Sequence, residues 1–212
     1  MVALAALAAL LYDGLPDLIP THWDARGVAT GYMPKPLGVA VYVALPIAIF
    51  LAIKALPAIS PRGFRMGGFQ RVTDILTLAA TLMVSGIGVA VLLVASGRNL
   101  PMLAVVQLLT GGFFIVLGNF LGKVRRNFFI GIRTPWTLAS DEVWARTHRF
   151  GGWVFVIAGI ALVALAWAPA QRPARFPLTL LGIIGVAAVV VVVHSYVVDR
   201  QLHGKGALGG AD

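Results

Sequence analysis

Apolar residues form long blocks along this chain, and short polar segments separate them. Five blocks are close to the roughly 20 residues that a membrane-spanning helix needs; they cover residues 37–57, 75–95, 100–122, 150–167 and 177–198. A sixth block, residues 1–12, would reach only about 18 Å as a helix, so we expect a short first span. The pattern predicts an all-α integral membrane protein with six transmembrane helices.

The composition supports a membrane domain with no soluble domain attached. Hydrophobic residues make up 59% of the 212 residues and charged residues 12%, against about 25% charged residues in soluble domains. The chain has no cysteine, which excludes disulfides, thiolate metal sites and cysteine nucleophiles. The net charge of +9 indicates loops that face anionic membrane lipid, and we expect no direct nucleic-acid partner.

The distribution of basic residues predicts the orientation of the spans. Twelve Lys and Arg lie on the side of the two chain termini, and five lie on the other side. Because cytoplasmic segments carry the excess of basic residues, we expect both termini in the cytoplasm. We therefore call residues 13–36 the outer loop and residues 118–152 the inner loop. The order of long and short loops also fits an inverted repeat, but we prefer a coincidence of loop lengths as its explanation, because the two halves share no matching residues.

The chain is divided by this pattern into two regions. Residues 1–57 comprise the first helix, the outer loop and the second helix, and residues 58–212 comprise a four-helix membrane region that includes the inner loop. Within that region Gly118 and Gly122 form a GxxxG motif, which predicts close packing between helices.

The outer loop is predicted to be a folded cap. Its four prolines exclude a long helix, and the segment from Asp24 to Gly27 predicts a tight turn. Candidate ligand-binding residues there are acidic or aromatic: Asp13, Asp17, His22, Trp23 and Asp24. The three aspartates and His22 are also of the types that bind metals, but their spacing is not that of a metal site, and we expect no metal and no cofactor.

The inner loop is dense in side chains that form hydrogen bonds and stack. Ser140, followed by two acids, predicts the start of a surface helix that leads into the next span. On that helix Glu142 and Arg146 are spaced to pair, and Trp144 and His148 share a face. Anchoring to lipid headgroups by Arg and Trp is the alternative interpretation. The candidate functional residues are Asn119, Lys123, Asn127, Arg133, Trp136, Trp144, His148 and Arg149.

Two motifs resemble known families. The inner loop is similar to the signature of the SdpI family; the matching residues are Gly118-Asn119, Lys123, Asn127, Gly131-Ile132-Arg133-Thr134-Pro135-Trp136-Thr137-Leu138, Val143-Trp144, Thr147-His148-Arg149 and Gly152. The outer loop resembles the small domain of unknown function that commonly precedes it; the matching residues are Leu15-Pro16, Ile19-Pro20-Thr21-His22-Trp23, Gly27 and Lys35. Asp24 and Thr30 depart from that second pattern, which expects Asn and an acid.

The resemblance implies a function at the bacterial cell (inner) membrane. An SdpI-type protein would confer immunity to a secreted toxic peptide, which the outer loop would meet, and would signal by recruiting a soluble cytoplasmic repressor. A small transporter or channel is the alternative, but its usual mid-membrane ionisable residue is missing, since Lys54, Asp74 and His194 all lie near inner helix ends. A membrane enzyme is a third possibility, although His22 and His148 have neither a nucleophile nor a paired acid beside them. We therefore predict no catalytic residues.

Overall fold

A computed structural model describes residues 1–61, 67–166 and 176–203. Seven α-helices occur in these segments: α1 (Val2–Leu11), α2 (Lys35–Ala55), α3 (Gln70–Ala95), α4 (Met102–Leu121), α5 (Pro135–Ala139), α6 (Asp141–Leu165) and α7 (Phe176–His203). Two strands, β1 (Leu18–Trp23) and β2 (Ala29–Pro34), lie between α1 and α2. Short 3-10 helices cover Tyr12–Gly14 and Gly67–Phe69.

Five of the described helices, α2, α3, α4, α6 and α7, are long and apolar enough to cross a membrane. They confirm the five longer predicted spans, although Trp167, the predicted end of one of them, lies outside the described residues. Helix α1 has 10 residues, or about 15 Å, against roughly 30 Å of hydrocarbon. Its Leu4 and Ala8 are buried in an apolar cluster with residues of α3. The count of six spans and their orientation stay predictions.

Helix α6 begins nine residues before the predicted span and corrects one expectation. Ser140 accepts a hydrogen bond from the Val143 N–H at 3.4 Å and caps the helix, as predicted. No separate surface helix follows, because the helix continues without a break to Leu165. The predicted pair of Glu142 and Arg146 is present at 2.6 Å.

Glycines bring α4 and α6 into close contact at two levels. A Cβ atom on Gly118 would lie 2.5 Å from the carbonyl oxygen of Gly152, and one on Gly111 would lie 2.8 Å from that of Gly159. These distances are far inside van der Waals contact, so the backbones meet without side chains between them. A Cβ on Gly122 would meet only ordinary contacts, at 3.5 Å. The predicted packing role of Gly118 is confirmed, but it is shared with Gly111, seven residues away, rather than with Gly122.

The strands β1 and β2 pair as an antiparallel hairpin, which we call the outer hairpin (residues 18–34). This sheet is a departure from the all-α prediction. The prolines of the outer loop exclude a long helix but not a two-stranded sheet, because both strands are edges, where residues such as Pro20 and Pro34 that have no N–H to donate are tolerated. The predicted turn is confirmed by the hydrogen bond from the Gly27 N–H to the carbonyl of Asp24, 2.9 Å long.

The outer hairpin is fixed to the helices beneath it. Ile19 is fully buried, and a Cβ atom on Gly38 of α2 would lie only 2.8 Å from its side chain. The absence of a side chain at Gly38 therefore leaves room for Ile19. The Tyr42 hydroxyl on α2 donates to the carbonyl of Pro20 at 3.0 Å. At the turn, Gly27 faces Leu103 in the first turn of α4. Since the inner loop follows the other end of α4, the hairpin and the inner loop lie at opposite ends of the bundle.

Candidate functional site

Asn127 organises the first half of the inner loop. Its side chain is fully buried and makes four hydrogen bonds to the backbone. The amide nitrogen donates to the carbonyls of Arg125 and Ile130 at 2.9 and 2.8 Å, and the amide oxygen accepts from the N–H groups of Phe129 and Ile130 at 2.8 and 2.7 Å. With both donors and the acceptor satisfied, the side chain substitutes for regular secondary structure over residues 125–130.

Trp144 and His148 attach the loop to α6. Their rings stack at 3.9 Å with 16° between the planes, and both are buried. The Trp144 indole N–H donates to the carbonyl of Val124 at 2.7 Å. The Ile132 N–H donates to Nε2 of His148 at 3.0 Å, and Nδ1 of the same ring lies 2.9 Å from the carbonyl of Trp144.

This pattern of partners determines the protonation state of His148. A backbone N–H can only donate, so Nε2 must carry no proton, while Nδ1 must carry one to meet a carbonyl. The neutral ring with its proton on Nδ1 satisfies both bonds, whereas a doubly protonated ring would lose the bond to Ile132. With both nitrogens engaged and the ring buried, His148 serves as a structural residue and has no free nitrogen for acid–base chemistry.

Gly131 makes room for this histidine. Its φ of +119° lies in a region that residues with a Cβ rarely adopt. A Cβ on Gly131 would also collide with Nε2 of His148 and lie 3.2 Å from the ring of Trp144. Glycine is therefore required at position 131 for two reasons: the backbone conformation disfavours any other residue, and the His148 ring fills the space that a side chain would need.

The short helix α5 connects the loop to α7. Thr134 caps α5 by accepting from the Thr137 N–H at 3.2 Å, and the Thr137 hydroxyl accepts from the Thr134 N–H at 2.9 Å, which completes a capping box. The hydroxyl of Ser195 on α7 donates to the Thr134 hydroxyl at 3.1 Å. Trp136 packs edge-on against Tyr196, with ring centroids 5.2 Å apart. The loop thus contacts α6 and α7 through polar and aromatic side chains.

Sequence reasoning missed three residues of this structure. Arg126 donates to the carboxylate of Asp141 at 2.6 Å and to the carbonyl of Leu138 at 2.7 Å. Thr137 and Ser195 are fully buried and bonded as described above. Two signals were available: Thr134 followed by Pro135 is a helix start, and Ser195 is a small polar residue beside a long valine run.

Four predicted inner-loop residues lie outside the buried cluster. Asn119 donates to the carbonyl of Ile115 on its own helix, and its side chain is otherwise exposed. Lys123 lies over the Phe120 ring at 4.8 Å. Arg133 is exposed and donates to the carbonyl of Phe128 at 2.8 Å. Arg149 is exposed on α6. The structure therefore brings together Asn127, Trp144 and His148, with Trp136 at the edge.

The predicted outer residues divide into structural and exposed ones. The Asp24 carboxylate accepts from the N–H groups of Val28 and Arg26, each at 2.9 Å, and pairs with the Arg26 guanidinium at 3.1 Å. The bond from Val28, together with those from Arg26, holds the pKa of Asp24 below its usual value despite some desolvation. Trp23 packs against the apolar cluster beneath the hairpin. Asp13, Asp17 and His22 are exposed.

The outer hairpin also exposes apolar side chains that the sequence analysis did not single out. Leu18, Val28 and Tyr32 are each 54–55% exposed. They lie on or beside two strands whose outer edges are unpaired. Within the described part of the chain, no group of three or more His, Cys, Asp or Glu side chains is arranged to hold a metal ion. The chemistry that the hairpin offers is thus apolar contact, free backbone edges and exposed acidic side chains.

Two stretches of the chain match known protein families. Residues 123–195 match the SdpI/YfhL protein family, and residues 1–49 match a domain of unknown function, DUF1648. A curated relative, the immunity protein SdpI of Bacillus subtilis (strain 168), is 27% identical over 196 residues, which cover 92% of this chain and 90% of the relative. No solved structure matches significantly. The resemblance found in the inner and outer loops is thereby confirmed: the inner-loop region of this multi-pass membrane protein is similar to the SdpI/YfhL family, and its N-terminal region is similar to the DUF1648 domain.

Proposed function

We propose that this chain is a bacterial membrane immunity protein that protects against a secreted toxic peptide and passes the signal to a soluble cytoplasmic repressor. The observation that carries the proposal is the pair of ordered elements at opposite ends of α4: an outer hairpin with exposed binding groups and an inner loop with a fixed structure. The similarity to the immunity protein of Bacillus subtilis supplies the class of function.

The outer hairpin has the features of a peptide receiver. An extended peptide can add to a free strand edge through main-chain hydrogen bonds, while its side chains contact neighbouring apolar surfaces. Leu18, Val28 and Tyr32 provide such surfaces, and the carboxylates of Asp13 and Asp17 are exposed beside them. A cationic or apolar peptide suits these groups better than an acidic one.

The inner loop has the features of a readout surface. Its buried cluster fixes the backbone, and the cationic side chains of Lys123, Arg125 and Arg133 are exposed on the outside of that structure. A rigid display of basic groups loses little conformational entropy when an acidic protein surface binds it. The acidic residues at the start of α6 are already paired, Asp141 with Arg126 and Glu142 with Arg146.

A connection between the two elements runs through α4. The hairpin turn contacts the first turn of α4 at Leu103, and the contacts of Gly111 and Gly118 join α4 to α6, which carries Trp144 and His148. Signalling requires two arrangements of these helices that the peptide binds unequally. Because α4 and α6 are in backbone contact, we expect them to move as a pair.

Survival of a sensitive bacterium tests the proposal. The parent chain is expected to protect cells from a membrane-active peptide, and the double variant His22→Ala, Tyr32→Ser should lose protection. Asn99→Ala, an exposed change in the loop between α3 and α4, is the control and should protect like the parent.

Arg133→Ala should retain protection but recruit less of a soluble partner in a pull-down, with Arg71→Ala as its control. Outer variants that protect and recruit as well as the parent would exclude the hairpin as receptor.

One observation favours a small transporter or channel as the second candidate. Thr73, Thr77, Thr81 and Ser85 recur every four residues along α3 and are buried, and the hydroxyls of Thr81 and Ser85 have no hydrogen-bond partner among the described residues. Such a stripe could line a polar path. Ion flux through liposomes containing the purified protein distinguishes this candidate, because an immunity protein alone is expected to show none.

A further inference from the structure

Two cavities follow one another along α6 and α7 on the outside of the bundle, and we call them together the groove. Its apolar part is a slot of about 390 Å³. The α6 wall includes Val154 and Ile157, and the α7 wall includes Gly182, Val186 and Val190, spaced one turn apart along a single face. The slot covers nine residues of α7, from Gly182 to Val190, and the first and last of them are about 12 Å apart, which is close to the roughly 15 Å of hydrocarbon in one membrane leaflet.

The end of this groove nearest the inner loop is cationic and aromatic. A second cavity of about 350 Å³ begins where the slot ends, one helical turn further along α7, and its lining residues are Arg146, Arg149, Phe150, Trp153, His194, Val198 and Gln201. Arg149 makes no hydrogen bond or ion pair with any described residue. Trp153 is 69% exposed, as is typical of an indole at the membrane interface. Arg146 is partly neutralised by Glu142, so Arg149 carries the free charge.

We propose that this groove is a binding site for an anionic phospholipid, with an acyl chain in the apolar slot and the phosphate beside Arg149. The combination of a leaflet-deep apolar slot and a cation at its interfacial end matches the shape and charge of one such lipid. A second copy of the chain fits the same surface less well, because two parallel copies related by a two-fold axis would bring their arginines together.

The charged end is tested by native mass spectrometry of the purified protein in detergent, titrated with phosphatidylglycerol and with phosphatidylcholine of the same acyl chains. The parent is expected to retain phosphatidylglycerol preferentially. Arg149→Gln should lower its affinity roughly fivefold, the typical contribution of one basic residue to anionic-lipid binding. Arg71→Gln removes an exposed charge at the same end of the bundle but outside the groove, and it should change nothing.

The apolar slot is tested by two glycines of α7 that have open space beside them. A Cβ on either Gly182 or Gly185 would meet no atom within 4 Å, but only Gly182 lines the slot. Gly182→Leu is expected to reduce retention of both lipids severalfold, and Gly185→Leu is expected to have no effect. Equal losses in Arg149→Gln and Arg71→Gln, or equal effects of the two leucines, would overturn the proposal. So would a change of oligomeric state in Gly182→Leu, which would assign the groove to a second copy.

Discussion

The outer hairpin and the inner loop contain the same kinds of residue, but these residues have different roles in the two regions. In each, an Asx side-chain oxygen accepts two backbone N–H groups: Asp24 from Arg26 and Val28, and Asn127 from Phe129 and Ile130. Each also has a glycine with positive φ, Gly27 at +81° and Gly131 at +119°. Their histidines differ sharply, since His22 is exposed whereas His148 is fully buried.

The difference teaches that burial decides what a polar residue does in this protein. In the inner loop the side chains of Asn127 and His148 are buried and fully hydrogen-bonded, so they specify one backbone conformation. In the outer hairpin the apolar residues Ile19 and Trp23 anchor the element, and His22 remains exposed to a ligand. We therefore expect substitutions of polar residues to reduce folding stability in the inner loop and to reduce ligand capture in the outer hairpin.

Alanine substitution of the two positive-φ glycines should give the largest difference in folding stability between the two regions. Gly27→Ala is expected to lower the free energy of unfolding by about 1–2 kcal/mol, the strain of a left-handed alanine, because its Cβ would lie a comfortable 3.7 Å from Leu103. Gly131→Ala adds a collision with His148 and loss of the bond to Ile132, and should cost about 3–5 kcal/mol. Thermal unfolding in detergent, followed by tryptophan fluorescence, measures both. Equal shifts in the two variants would contradict the packing of His148.

Removal of a polar side chain should produce the next largest contrast. Asn127→Ala leaves buried backbone groups of the loop without partners and should cost about 2–4 kcal/mol. His22→Ala removes an exposed ring whose one hydrogen bond is to neighbouring Thr21, and its stability should change by no more than about 0.5 kcal/mol. The same unfolding measurement compares them, and a stable Asn127→Ala variant would show that the loop does not depend on this residue.

Protonation of Asp24 in the outer turn should have the smallest effect. The pKa of Asp24 is lowered in the folded chain, so the carboxylate stabilises the turn above its unfolded pKa, near 3.8, and this contribution is lost as pH falls through the lower folded value. The Val28 amide signal in NMR spectra should shift in that pH range. Asp24→Asn keeps the accepting oxygen and should abolish the titration; persistence of the shift would assign it to another group.

The five long helices could be predicted because the length and lack of charge of a spanning segment are visible in one dimension. The turn at Asp24 and the helix start at Ser140 were also readable, since capping and turn chemistry are local. The pairing of β1 with β2 was missed because Pro20 and Pro34 indicated only the absence of helix. The contacts of Arg126 with Asp141 and of Thr134 with Ser195 join residues 15 and 61 positions apart, a separation at which the residue types alone do not identify partners.

The glycine motif shows the same limit of prediction from sequence. A spacing of four residues between Gly118 and Gly122 indicates a packing face, but which glycines meet another backbone depends on where α6 crosses α4. The structure selects Gly111 and Gly118, which face Gly159 and Gly152. Likewise the sequence indicated that Trp144 and His148 share a face, and only the fold shows that this face is buried against Val124 and Ile132.

Hydrogen exchange of the backbone amides in residues 127–148 tests the central claim, that the inner loop is a folded structure and not a flexible tether. The amides of Phe129, Ile130 and Ile132 donate to buried side-chain acceptors, so peptides containing them should exchange far more slowly than an unfolded chain. In Asn127→Ala that protection should disappear from Phe129 and Ile130. Exchange of the whole segment at unfolded-peptide rates in the parent protein would contradict the account.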